Sequence, residues 1–208
     1  MFKTNAKSKL LAAIDAFQRN VASVNGVILD CWKTSSNTTL LKKPGNYNLD
    51  KLWMVVCLEA DFNMNCKKLG REAMWNGTRC GILSREKYGG KKNSTAAEVV
   101  LNQVLTCDRV RSDHRPAVII SNDAKGCFDR IVHSVLNICL RRLGAPNAPI
   151  ECMITTIQDM KHHIHTAYGL SRRHYKKDRG KPPPQGILQG NGASNAAWSA
   201  VATVIVDI

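Results

Sequence analysis

An α+β fold is predicted by two kinds of apolar pattern that occupy separate stretches of the 208 residues. Continuous apolar runs of strand length stand at Leu52 to Leu58 (LWMVVCL) and Ala117 to Ile120, while stripes of helical period stand elsewhere. With 44% of residues in the broad apolar class, the chain can bury one sizeable core, in one domain or one and a half.

Each element has its own signal. Leu10, Ile14, Phe17 and Val21 form a helical face over Lys7 to about Ala22, which Asn25-Gly26 interrupts. The polar run TSSNTTLLKKPGNYNLD predicts a surface loop, or a boundary near residue 48. Residues 1–48 are therefore an N-terminal helical and loop segment without an assigned role, and residues 49–208 form the main unit. Leu52 to Leu58 predicts a strand buried on both sides. Asn65 to Met74 predicts a helix ended by Asn76-Gly77. Thr95 with Glu98 makes a capping box for a helix that continues through Val99, Val100, Val104 and Leu105. The loop YGGKKN at its entrance offers lysines and first-turn N–H groups to a phosphate, or is a solvated lysine loop.

Ala117 to Ile120 predicts a short strand that delivers Ser121-Asn122-Asp123 at its end. From Asp129 a helix carries Val132, Val135, Leu136, Cys139 and Leu143 and stops at Gly144. Asn147 and Pro149 open the next, with Ile150, Met153, Ile154 and Ile157 as its buried stripe. The last helix begins near Ser194. Its dense apolar part, from Ala196, runs about eleven residues, half of a bilayer span, so it is a buried helix and no membrane partner is expected.

Thirty Lys and Arg against sixteen Asp and Glu leave a charge of +14, which favours a polyanionic partner such as nucleic acid. The charge concentrates between Lys161 and Lys181, where seven basic residues face one acid, Asp178. Arg172, Arg173, Lys176, Lys177, Arg179 and Lys181 form a candidate patch for tracking a phosphate backbone, and Pro182-Pro183-Pro184 stiffens its exit. None of the eight cysteines sits in a C-x-x-C pair, and the N-terminus lacks a signal-peptide core. Both point to reduced thiols in an intracellular protein that is not secreted, with a nuclear location left open. His162, His163 and His165 are spaced for a basic surface or RNA contact rather than for the shared helical face of a metal site. His114 and His133 offer no catalytic pairing.

Asp123 and Asp129 bracket AKGCF, and an aspartate at a strand end is a candidate Mg²⁺ ligand or a plain turn residue. The stretch SNDAKGCFDRIVHSV, followed about fifty residues later by QGILQGNGASNAAW, resembles the reverse transcriptases of non-LTR retrotransposons. LEADFNMNCK and EKYGGKKNSTAAEVV resemble the fingers motifs of that family, so the likeness covers residues from about 50 to 208. It implies a partial right-hand polymerase, fingers and palm, with a small antiparallel sheet and helices packed on one face. It implies Asp123 as the palm carboxylate of a two-Mg²⁺ site, with Ala124 lending its carbonyl to one ion. Phe128 matches the aromatic under the incoming sugar, which excludes a 2′-hydroxyl; a core aromatic is the alternative. Gln189 and Gly190 match the block that touches the nucleotide and template, with an ordinary turn as the alternative, and Lys91 matches a triphosphate-gripping fingers position. The implied partners are an RNA template, a DNA primer and dNTP.

Two departures stand against the pattern. Trp53 occupies a position where relatives often carry arginine, and no aromatic-x-Asp-Asp hairpin occurs up to Ile208. A truncated fragment without polymerase activity of its own is the expectation. The alternatives are a non-catalytic basic RNA- or DNA-binding module and a degenerate retroelement relic.

Overall fold

The computed structural model describes residues 9–46, 48, 52–84, 87–91, 93–119, 123–124, 126–176 and 185–206. In chain order these form α1 (Lys9–Asn25), β1 (Thr34–Leu41), β2 (Leu52–Leu58), α2 (Ala60–Arg79), α3 (Ala96–Ser112), α4 (His133–Arg142), α5 (Asn147–Gln158), β3 (Lys161–Thr166), β4 (Gly169–Tyr175) and α6 (Ser194–Val206). The α+β class is observed. The sheet, however, is mixed rather than antiparallel, in the order β2-β1-β3-β4. β1 pairs antiparallel with β2, from Ser35 opposite Leu58 to Leu41 opposite Leu52, and parallel with β3, with Ser35 opposite His162. The long helical connection between β1 and β3 permits the parallel pairing that a tight hairpin forbids.

The segment expected to be a surface loop contributes β1, the strand between β2 and β3. Its two buried polar residues reach across the sheet, although Asn37 Oδ1 is buried without a hydrogen-bond partner. Ser35 Oγ and His162 Nδ1 are hydrogen-bonded at 2.7 Å, and Asn37 Nδ2 donates to the Tyr175 hydroxyl. The His162 ring stacks on Tyr175 with centroids 4.9 Å apart. Burial lowers the pKa of His162, and it raises that of the Tyr175 hydroxyl against the pull of Asn37. β2 falls where expected but is an edge strand, with only Val56 buried.

Ala117, Val118 and Ile119 form no strand; Val118 is 86% exposed, and among the described residues this apolar run has no sheet neighbour to bury it. Ile120, Ser121 and Asn122 lie outside the described residues. α2 runs through Asn76-Gly77, and the glycine serves packing there, since a Cβ on Gly77 would come 2.7 Å from Leu143 Cδ2. The helix stops at Gly81, φ +66°, where Ile82 N donates to Gly77 O and Gly81 N to Thr78 O. α4 begins at His133, after a 3-10 turn over Phe128–Arg130, rather than at Asp129.

The core gathers Trp32 and Phe62, with rings 5.7 Å apart, Leu136 and Leu140 of α4, Ile150 and Ile157 of α5, and Ile187. The expected stripe of α5 is buried. Phe17 of α1 is 69% exposed, although periodicity placed it on the buried face. α3 starts at the expected capping box, Thr95 N to Glu98 Oε2 at 3.0 Å and Glu98 N to Thr95 Oγ1 at 3.4 Å, yet buries no residue. No described helix is long and apolar enough to cross a membrane.

All eight cysteines are free. Burial raises the thiol pKa of Cys66, Cys139 and Cys152, disfavouring the reactive thiolate, whereas Cys31, Cys57 and Cys80 are exposed. Iodoacetamide at about pH 8 should alkylate the exposed three in the native chain and the buried three only on unfolding. Peptide mass spectrometry showing equal labelling of all six would contradict this packing.

Candidate nucleotide and nucleic-acid interface

The Gln189–Gly190 bend is built against β2. Val56 N donates to Gln189 O at 2.7 Å, so the loop occupies the outer edge of that strand. Gly190 has φ +120°, and a Cβ there would lie 2.1 Å from Val56 O; only glycine permits this approach. Asn63 of α2 clamps both sides of the bend, Nδ2 donating to Gly190 O at 3.0 Å and Oδ1 accepting from Gly192 N at 2.6 Å. Trp53 Nε1 donates to Gln189 Oε1. Trp53 thus holds the Gln189 side chain against β2.

The same loop reaches the aspartate block. Gly186 N donates to Ile131 O and Ile187 N to Phe128 O, both at 2.9 Å, and a Cβ on Gly186 would meet the Asp129 backbone at 2.7 Å. Two blocks far apart in sequence therefore share one backbone seam. Phe128 is half-buried and packs on the core. Desolvation raises the Asp129 carboxyl above its ordinary range. Asp123 and Ala124 are exposed on the stretch leading into the turn.

Among the described residues no three His, Cys, Asp or Glu side chains converge on a point that could hold a metal. Asp123 and the Ala124 carbonyl are hard donors suited to Mg²⁺, but one carboxylate does not make a two-ion site. The set does not fit the pair of ions.

Lys91 Nζ donates to Ser84 O at 2.6 Å, so its ammonium is held by the chain itself. Lys87 lies 6.0 Å from the Trp198 ring centroid, and desolvation, with Lys91 nearby, lowers its pKa. Arg172 and Arg173 are exposed on β4 and Lys176 just beyond it; Lys177, Arg179 and Lys181 lie outside the described residues. The tract expected to be a basic surface is thus partly a β-hairpin.

Sequence reasoning missed His133. It is buried at the start of α4, its Nε2–H donating to Gly186 O at 2.7 Å and its Nδ1 accepting from Gln158 Nε2 at 2.8 Å. Its backbone N donates to Gln185 Oε1 at 3.0 Å. The imidazole anchors the Gln185–Gly186 end of the loop to two helices. A lone histidine four residues after the expected helix start at Asp129 carried no signal of this role.

Comparison with family models and with curated proteins returns no match.

Two substitutions test the seam. Gly190→Ala should cost about 3 kcal/mol or more, whereas Gly45→Ala, φ +78° with nothing within 4 Å of its Cβ, should cost about 1 kcal/mol. Thermal melts showing equal losses would refute the close approach. His133→Ala should cost about 2 kcal/mol, by stranding the Gln158 amide and the Gly186 carbonyl. A loss below about 0.5 kcal/mol in urea titration would show that the anchor is dispensable.

Proposed function

We propose that the chain is the fingers–palm part of a reverse transcriptase, an RNA-directed DNA polymerase acting on an RNA template, a DNA primer and dNTP. The observation that supports this reading is the seam between residues 128–131 and 186–187. The two motif blocks that a polymerase needs at one nucleotide pocket are hydrogen-bonded to each other although about fifty residues separate them. In this reading Gln189 and Gly190 face the incoming nucleotide and template, and Phe128 lies under its sugar. Lys91 meets the triphosphate after releasing Ser84 O. Asp123 and Ala124 would offer one carboxylate and one carbonyl to a single Mg²⁺, short of the two-ion set. The residues described here bind and orient, and no bond-making step is assigned to them.

The test is the anisotropy of a labelled RNA-template, DNA-primer duplex in Mg²⁺. A complementary dNTP should tighten the complex, while the matching ribonucleotide or a mismatched dNTP should not, and Gln189→Ala should abolish the tightening. Equal effects of all nucleotides would defeat the reading. These residues alone are expected to extend no primer; robust Mg²⁺-dependent incorporation would contradict the incomplete carboxylate set.

A further inference from the structure

The β3–β4 hairpin combines three features that the nucleotide pocket does not use. From Lys161 to Lys176 it contains no acidic residue, and Lys161, Arg172, Arg173 and Lys176 are exposed. β4 is the outer strand of the sheet, so among the described residues one side of its backbone faces no neighbouring strand. At the tip, Tyr168 is fully exposed, at 103% of the reference area.

The hairpin is shaped rather than slack. Thr166 Oγ1 accepts from Tyr168 N at 3.2 Å and donates to Gly169 O at 3.3 Å, and Gly169 adopts φ +106°. Tyr168 is therefore carried on a defined turn. Pairing shifts register between His163 and His165, which stand opposite His174 and Leu170, so Ser171, Arg172 and Arg173 bulge from the ladder. Ser171 stitches the bulge. Its Oγ accepts from Ile164 N at 3.0 Å and donates to Arg173 O at 2.7 Å, while its carbonyl accepts from His163 Nδ1 at 2.9 Å. Two exposed arginines are thus carried on fixed backbone of the same hairpin that carries the solvated Tyr168 ring.

We propose that this hairpin grips single-stranded nucleic acid. Tyr168 stacks on an unpaired base, and Arg172, Arg173 and Lys176 hold the adjacent phosphates. The inference rests on the nucleic-acid reading above and adds the class of strand. A ring at a hairpin tip can cover a base face only where that face is not already covered by its neighbours in a duplex, whereas arginines take phosphates from either form. Neither contact reads the sugar, so RNA and DNA single strands should bind alike.

The test is anisotropy of the whole chain with a labelled 20-nucleotide RNA, the same sequence in DNA, and the duplex. Single strands should bind more tightly than duplex. Tyr168→Ala should weaken single-strand binding about tenfold, leaving duplex binding and the melting temperature unchanged. Arg172→Gln with Arg173→Gln should lower the single-strand log–log salt slope by about 1.4. If Tyr168→Ala changes nothing while nucleotide-dependent tightening on primer–template persists, the hairpin proposal fails alone. If neither strands nor primer–template bind, both readings fail. Binding of phosphatidylserine vesicles with the same Tyr168→Ala sensitivity, and no binding of single strands, would overturn the proposal in favour of a membrane surface.

Discussion

A missing side chain decides where the loop before α6 can sit. At Gly190 the backbone comes so near Val56 O that any Cβ would collide, and the contact brings the loop onto the outer edge of β2. From there the chain is fixed in both directions. Asn63 ties the bend to α2, while Gly186, Ile187 and His133 tie the upstream end to the turn at Phe128 and to α4 and α5. Gly192 and Gly70 extend the same principle, since a Cβ at either would strike Lys67 or Ala193. Gly70 and Gly192 thus let α2 and the loop before α6 approach at backbone distance, as Gly186 and Gly190 do for that loop against the Asp129 turn and β2.

Helices were legible wherever period and punctuation agreed. The α5 stripe, the Thr95–Glu98 capping box, the Gly144 stop and the start of α6 at Ser194 all follow from local chemistry. Failures came where tertiary partners outweighed local preference. Gly77 reads as a helix breaker, yet α2 continues through it, and the glycine serves packing there, since Leu143 and Leu83 occupy the space a side chain would fill. β1 reads as loop because TSSNTT lacks apolar residues; its stability comes from Ser35 and Asn37 meeting His162 and Tyr175, residues more than 120 positions away. No local window contains that information. Ala117–Ile119 is the reverse case, an apolar run of strand composition without a paired neighbour among the described residues.

The candidate site was legible as residues and not as geometry. Gln189 and Gly190 stood out through the resemblance of their block to a reverse transcriptase motif, but the seam to Phe128 and the Trp53 contact depend on the whole fold. Trp53 offers a neutral N–H that holds the Gln189 side chain in place. Lys91 directs its Nζ to Ser84 O. α3 leaves Val100, Leu101, Val104 and Leu105 in solvent, a surface whose apolar character offsets the solubility that a charge of +14 confers.

The central claim is that the aspartate block and the glutamine-glycine block act as one nucleotide-facing unit. Hydrogen–deuterium exchange with primer–template, with and without complementary dNTP, tests it most directly. Joint gain of protection at residues 126–131 and 186–192 on adding dNTP is the predicted result. Protection at one segment without the other, or at neither, would contradict it.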